Sequence, residues 1–380
     1  MRIGVNARLL LSQNMEGMSR YIYETTKNMA ISNPDDTFIL FYDRFDRKKL
    51  EFPSNVSHVA IPLPTRHPVL WYLWFELLVP VFLSKYKIDV FYSGDGYMSL
   101  NTNIPTILVV HDLAYLHYPH HVRSAILSYY QKNIPKFLTA AHQIVTVSQF
   151  VKKDITARFN ISDDKINVIY NAVNKNINLI DFSNLSPKIA NIPKSLPYFI
   201  YVGSLHPRKN IIRLIQAFNL FNEPQESKFK LILAGRMAWK TDEIKDEIQK
   251  TKYVEYLGMV SEEEKAFLIK NAVALVYVSL FEGFGIPILE SMQLQTPVIT
   301  SSVSSMPEVA GGAALLADPE NTASISECFS LITKDNSLRT ELILKGKKRV
   351  LDFSWQDSSE KIYRLLTDAA KKEITFDPKN

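Results

Sequence analysis

The chain has 380 residues, of which 46% are hydrophobic and 22% charged, with a formal net charge of +5. At roughly 150 residues per domain this length implies two domains, and the composition excludes a disordered or fibrous protein. A single cysteine, Cys328, excludes an internal disulfide framework and a cysteine-built metal cluster, and a reducing cytoplasm fits that usage.

The start, Met1-Arg2-Ile3-Gly4-Val5-Asn6, reads as a first buried strand and not as a secretory leader. Short β-branched runs then alternate with stretches of helical period, the pattern of βαβ units around a parallel sheet. In the first half strands are expected at Arg2 to Val5, Thr37 to Tyr42, Val56 to Ile61, Val90 to Tyr92, Thr106 to His111, Gln143 to Val147 and Ile166 to Ile169. The most apolar stretch, Pro68 to Leu83, is read as a core or cleft-lining helix, because it is short for a bilayer and is interrupted by Glu76 and Pro80. Through Ile180 there are 19 Lys/Arg against 14 Asp/Glu, and 25 of each follow, so the whole excess belongs to the first half. An ordinary solvated surface accounts for this, and so does peripheral contact with an acidic acceptor or an anionic membrane. No nucleic-acid partner is expected.

Between Asn171 and Pro197 the pattern dissolves into Asn, Ser, Pro and Lys, which places a linker there. Further strands are expected at Phe199 to Val202, Lys230 to Ala234, Val254 to Leu257, Ala274 to Val278, Pro297 to Thr300 and Ala314 to Leu316. The domains are thus assigned to 1–180 and 197–354, with a helical tail, Trp355 to Lys372, packing back on the first. Ligands bind at the carboxyl ends of such sheets, so two doubly wound domains in series predict a cleft with a ligand site.

Two motifs carry chemistry. Val202-Gly203-Ser204-Leu205-His206-Pro207-Arg208-Lys209-Asn210 leaves a strand and enters a helix at Ile211. Glycine permits close backbone approach, the helix start favours an anion, and Arg208 and Lys209 add two charges suited to a diphosphate; a merely solvated turn is the alternative. In Phe281-Glu282-Gly283-Phe284-Gly285-Ile286-Pro287-Ile288-Leu289-Glu290, two carboxylates flank a flexible turn, with Pro287 in the first turn of a helix. Each carboxylate can accept hydrogen bonds from vicinal hydroxyls, so the pair suits a sugar and a ribose, while the amides of Gly283, Phe284, Gly285 and Ile286 face an anion or a hydroxyl. The structural alternative makes Glu290 a helix-face residue and Glu282 a partner of the helix dipole.

These residues resemble the family 4 retaining glycosyltransferases, and the resemblance covers nearly the whole chain. It implies an α/β protein of GT-B fold, two doubly wound Rossmann-like domains facing across a cleft, with an N-terminal acceptor domain and a C-terminal donor domain. Gly17-Met18-Ser19-Arg20-Tyr21 resembles the family's glycine-rich loop, with Glu16 where a second glycine is common. His111-Asp112-Leu113 resembles its His-Asp step, and Val145 to Phe150 its Thr-Val-Ser-x-Phe turn. By that resemblance Arg208 and Lys209 bind the donor diphosphate with Gly203 and Ser204, Glu282 and the amides after it bind the sugar, and Glu290 binds the ribose. Ser204 stands where many members carry arginine, which leaves that charge to Arg208. The base is placed near Gly258 and Met259.

The resemblance implies a retaining transfer of a hexose from a nucleotide sugar, GDP-mannose before a UDP-sugar, to a glycan, glycolipid or lipid-linked acceptor in surface-polysaccharide synthesis. His111 would stabilise the sugar or position the acceptor. No Asp-x-Asp occurs, so Arg208, Lys209 and helix N-termini are expected to replace a metal ion, and no cofactor is expected. A nucleotide-sugar epimerase and a non-catalytic carbohydrate-binding homologue share the fold and stand as alternatives. A dinucleotide oxidoreductase is disfavoured because Asn6-Ala7-Arg8-Leu9 offers no Gly-x-Gly-x-x-Gly. The expected location is the cytoplasm or the inner face of the membrane.

Overall fold

A computed structural model describes the chain apart from residues 11–14, 16, 45–49, 175–176, 178–179, 184, 193–195, 240 and 375–380 and the side chains of 372–374. Met1–Asn171 with Ser354–Asn380 form one compact unit, and Ala172–Phe353 form the other.

The first unit is built on seven strands, β1 (Arg2–Asn6), β2 (Thr37–Tyr42), β3 (Val56–Ala60), β4 (Val90–Ser93), β5 (Thr106–Val110), β6 (Gln143–Thr146) and β7 (Ile166–Val168). All pairings are parallel and the order is β3-β2-β1-β4-β5-β6-β7. A parallel sheet is covered on both faces, so central strands read as unbroken apolar runs; β5, Thr-Ile-Leu-Val-Val, is buried throughout. Its main helices are α1 (Gly17–Ser32), α2 (Pro68–Lys85), α3 (Ser124–Ala140) and α4 (Gln149–Arg158). Ser148 caps α4, accepting the Val151 N–H at 3.2 Å.

The helix α2 corrects one expectation. Pro80 does not interrupt it. The ring excludes the hydrogen bond that residue 80 would donate to the Glu76 carbonyl, and the helix widens into a π turn over Trp74–Leu78 before resuming at Val79–Lys85. Asn101 Nδ2 donates to the Glu76 carbonyl at 3.1 Å in place of the missing amide. The continuous helix is long and apolar enough to cross a membrane by length and composition, yet Trp71, Trp74, Phe75, Val79 and Leu83 bury one face in the core of this unit.

The second unit has six parallel strands, β8 (Tyr198–Val202), β9 (Lys230–Ala234), β10 (Val254–Gly258), β11 (Ala274–Tyr277), β12 (Val298–Ser301) and β13 (Leu315–Ala317), in the order β10-β9-β8-β11-β12-β13. Its main helices are α5 (Ile211–Asn222), α6 (Asp242–Lys250), α7 (Glu262–Lys270), α8 (Ile286–Gln293), α9 (Thr322–Lys334) and α10 (Asn336–Arg349). The segment after Asn171 buries Ile189 and Ile192 in this unit, while α11 (Trp355–Ile374) returns to the first. There the Trp355 ring meets Tyr21 edge-on, and the Ser358 hydroxyl donates to the Tyr170 carbonyl at 2.8 Å.

In each sheet the strand order reverses once, between β1 and β4 and between β8 and β11, and these switch points open toward the carboxyl ends where ligands bind. Glycine is obligatory beside the second one. Gly235, at φ +139°, lies so close to β8 that a Cβ would stand 2.0 Å from the Gly203 carbonyl oxygen, whereas a Cβ on Gly258, at φ +78°, would meet nothing within 4 Å. Gly235→Ala is therefore expected to cost at least ~2 kcal/mol from clash and backbone strain together. Gly258→Ala should cost about 1 kcal/mol from backbone strain alone. Urea unfolding followed at Trp239, the one tryptophan of the second unit, measures the difference.

Candidate active site

The turns leaving β8 and β11 are joined at the switch point of the second unit. Pro207–Lys209 form one 3-10 turn, in which His206 Nδ1 accepts the Arg208 N–H at 3.2 Å. Asn210 adopts φ 63°, and its amide donates to the carbonyls of Val278 at 3.1 Å and Pro319 at 2.7 Å. The Leu280 N–H donates to the Arg208 carbonyl at 2.9 Å. These bonds fix where the two basic side chains emerge. Lys209 Nζ donates to Tyr277 Oη at 2.8 Å and to Glu282 Oε1 at 2.5 Å, and Tyr277 Oη donates to the same carboxylate oxygen at 3.1 Å. Arg208 Nη1 donates to the Phe281 carbonyl at 3.0 Å and lies 4.0 Å from Glu282 Oε2. Burial would raise the Glu282 carboxyl, but the Lys209 and Arg208 charges and the hydrogen bonds outweigh it and hold the pKa below the usual value. Glu282 is ionised.

The backbone after Glu282 is held by a neighbouring turn. The Ser305 hydroxyl lies 2.9 Å from both the Glu282 and the Phe284 carbonyl oxygens, and the Glu282 N–H donates to Ser304 Oγ at 3.2 Å. Gly285 turns the chain into α8 at φ 107°, and Pro287 stands in the first turn, as its fixed φ favours. The Phe284 ring is buried edge-on against Phe353, so its contribution to the site comes through its backbone. Neither α5 nor α8 has a side-chain cap at its N-terminus, and both begin beside the switch point, where unpaired amides and positive dipole ends suit an anion.

The remaining donor-side residues are placed differently. Glu290, inside α8, pairs with Lys265 of α7 at 2.8 Å, and Lys265 also meets Glu262 at 3.0 Å. Burial would lower the Lys265 pKa, but Glu290 and Glu262 reverse this and raise it. Ser204 offers its carbonyl to Tyr201 Oη at 2.9 Å. Gly258 lies at the end of the edge strand β10, separated from β8 by β9, where its carbonyl accepts the Gly235 N–H at 2.7 Å; Met259 beside it is exposed.

In the first unit His111 follows β5, and its Nε2 lies 2.8 Å from the Gly94 carbonyl. A carbonyl only accepts, so Nε2 carries the proton. Burial lowers the His111 pKa further than the Gly94 carbonyl, Asp112 and Asp95 raise it, which leaves a neutral ring with Nδ1 unprotonated. The Asp112 carboxylate accepts the Ala114 N–H at 2.9 Å. Gly17 opens α1, where an added Cβ would meet nothing within 4 Å, and Glu16 lies outside the described residues.

Sequence reasoning missed four groups. Arg8 and Asp95 follow β1 and β4 at the switch point of the first unit and form a buried pair at 2.5 Å; Asn6 Nδ2 donates to Asp95 at 2.8 Å, and the guanidinium lies 4.3 Å from the Tyr97 ring centre. Tyr277 reads as the last residue of a core strand, and Lys265 reads as the end of a solvated acidic run. Charged residues directly after strands were the legible signal for the first pair.

Residues 15–176 match the family described as Glycosyltransferase Family 4, and residues 183–349 match Glycosyl transferases group 1. This chain belongs to the family 4 glycosyltransferases. The glycosyltransferase is 28% identical over 369 residues to O-antigen chain mannosyltransferase B of Escherichia coli, covering 93% of this chain and 97% of that one. It is also 28% identical over 293 residues to the O-antigen chain mannosyltransferase RfbU of Salmonella typhimurium, covering 75% and 76%. Among solved structures, a sucrose-phosphate synthase from Thermosynechococcus elongatus shares the GT-B fold at TM-score 0.78 and 18% identity, over 97% of this chain and 99% of that one.

In this glycosyltransferase the His111 imidazole is expected to titrate below the ordinary histidine value of about 6.5. Its Nε2 should remain the protonated nitrogen at neutral pH. Long-range nitrogen–proton NMR correlations over a pH series, with His111→Gln to assign the resonance, measure both.

Proposed function

We propose that the enzyme transfers mannose, with retention, from GDP-mannose to a growing polysaccharide or a lipid-linked glycan at the inner face of the membrane. The observation that carries a diphosphate-sugar donor is the meeting of Lys209, Arg208 and Glu282 between two uncapped helix N-termini. Breaking the anomeric C–O bond builds negative charge on the leaving diphosphate and positive charge on the ring. Fixed cations and helix ends stabilise the first without reorganising, and an ionised Glu282 accepts hydrogen bonds from sugar hydroxyls near the second. Glu290, held by Lys265, is assigned to the ribose. Mannose is favoured over other hexoses by the likeness to O-antigen mannosyltransferases. The unprotonated Nδ1 of His111 suits a hydroxyl of the sugar or acceptor, and the leaving phosphate takes the acceptor proton.

Among the described residues no group of three His, Cys, Asp or Glu is placed to hold a metal ion. The proposed charge stabilisation comes from the protein, so transfer measured with a chelator present should stay within about two-fold of its value with added magnesium or manganese, no Lewis acid being needed at the diphosphate.

Lys209→Ala is expected to weaken donor binding about 10- to 100-fold, the scale of one hydrogen bond between charged groups. It also strands the Glu282 carboxylate, so the double variant Lys209→Ala/Glu282→Gln provides the control: charge balance and thermal stability recover while donor binding does not. Calorimetric titration with GDP-mannose and UDP-glucose reads the affinity and the base preference together. Unchanged donor affinity in Lys209→Ala would overturn the assignment.

Lys265→Met tests Glu290 separately. Donor KM should rise about ten-fold with kcat nearly unchanged, the signature of lost uniform binding. Steady-state kinetics with donor varied at saturating acceptor make the measurement.

A further inference from the structure

Helix α2 has apolar residues on both of its faces. The inward face belongs to the core, but Val69, Tyr72, Leu77 and Val81 follow one another at helical spacing along the outward face and are 60%, 55%, 52% and 60% exposed. An ordinary surface helix presents polar residues there. The stripe spans most of an 18-residue helix, about 27 Å at 1.5 Å per residue. Leu100 extends it, because the two carboxylate oxygens of Glu76 each accept the Leu100 N–H at 3.1 Å and hold that loop against the helix.

The segments that carry and neighbour the stripe hold an excess of cations. Segments 66–88 and 123–140 contain Arg66, Lys85, Lys87, Arg123, Lys132 and Lys136 against a single acid, Glu76. Helix α3 lies beside α2, since Tyr129 meets Trp71 edge-on with ring centres 5.3 Å apart. Lys132 and Lys136 follow Tyr129 by three and seven positions and so share its face of α3. Glu76 is occupied by the Leu100 N–H and has the Lys136 charge near it, while the next acid along the chain, Asp89, accepts the Arg2 N–H at 2.7 Å. The cation excess that composition assigns to the first half of the chain is concentrated here.

We propose that this face of α2, with its rim of Lys and Arg, docks the glycosyltransferase on an anionic lipid surface. The helix lies in the interface and does not span the bilayer, because its other face is committed to the protein core and Asn101 ties its π turn in place. An apolar stripe and a basic rim supply the two signals that stable peripheral binding needs. A protein partner fits less well, since protein interfaces are depleted in lysine. This surface rests on the proposed lipid-linked acceptor for its purpose, and on none of the donor-site residues.

Vesicle co-sedimentation of the whole chain tests it. Vesicles of phosphatidylcholine and phosphatidylglycerol mixed about two to one should bind the protein at least ten-fold more tightly than phosphatidylcholine alone, with binding lost on raising the salt. Tyr72→Ser/Leu77→Ser/Val81→Ser and Lys132→Glu/Lys136→Glu should each reduce binding about ten-fold or more, with circular dichroism, melting temperature and GDP-mannose affinity unchanged. Wild-type protein that ignores anionic vesicles, or variants that bind as well as wild type, would overturn the proposal. A wild-type dimer by light scattering that the serine variant dissociates would make the occupant a second copy and overturn it too. Loss of donor affinity in Lys209→Ala speaks to the donor site alone, so failure of the two readings is separable.

Discussion

The ion pair between Lys209 and Glu282 is the constraint around which the second unit is arranged. Both side chains are almost fully buried, and taking both charges out of water is costly unless each finds its partner at good geometry. The pair therefore requires that the turns after β8 and β11 be placed to within a few tenths of an ångström. The Asn210 amide, the Leu280 N–H and Ser305 supply that placement. Removing one partner of such a pair typically costs about 3–5 kcal/mol, whereas apolar residues of similar volume could fill the space at no loss. Retaining the pair beside two uncapped helix ends is an expense in stability that a ligand-binding role explains.

The first unit repeats the arrangement with different residues. Its switch point also holds a buried pair, Arg8 with Asp95, tied to the strands on either side through Asn6 and stacked on Tyr97. His111 sits one strand further along and bonds to the carbonyl of Gly94, the residue before Asp95. The doubly wound topology thus concentrates polar chemistry at one point of each sheet, because only there do successive loops diverge and leave strand ends uncovered. At other strand ends Ser148 caps a helix, the buried Asp43 after β2 accepts the Thr65 N–H at 2.8 Å, and Met259 is exposed.

Every strand was legible in the sequence, since buried parallel strands announce themselves as short β-branched runs between turn residues. The Gly-x-x-x-Pro-Arg-Lys and Glu-Gly-Phe-Gly motifs were legible for the same local reason: each is a strand end, a turn and a helix start in one stretch. What escaped were contacts between segments distant in the chain. Lys265 lies 25 residues from Glu290 and sits in a run, Glu262-Glu263-Glu264-Lys265, that looks like a solvated helix face. Tyr277 looks like core, and it is core except for the hydroxyl. The helix over Pro68 to Leu83 was legible, but its π turn was not, because the repair comes from Asn101, 21 positions after Pro80, which no local pattern encodes.

That repair has a consequence for the outward face. A straight α-helix advances about 100° per residue, and a π turn inserts an extra residue that rotates all that follows. With the π turn at Trp74–Leu78, Val69 and Tyr72 before it, Leu77 within it and Val81 after it are all brought to the solvent, while Trp71, Trp74, Val79 and Leu83 are all kept in the core. Proline 80 and Asn101 thus do more than tolerate a kink: they set the phase that lets one helix serve the core on one side and present a continuous apolar stripe on the other. A helix with this sequence and no π turn would turn part of each set to the wrong side, so the geometry of the stripe is a product of the same local chemistry that anchors the helix to its unit.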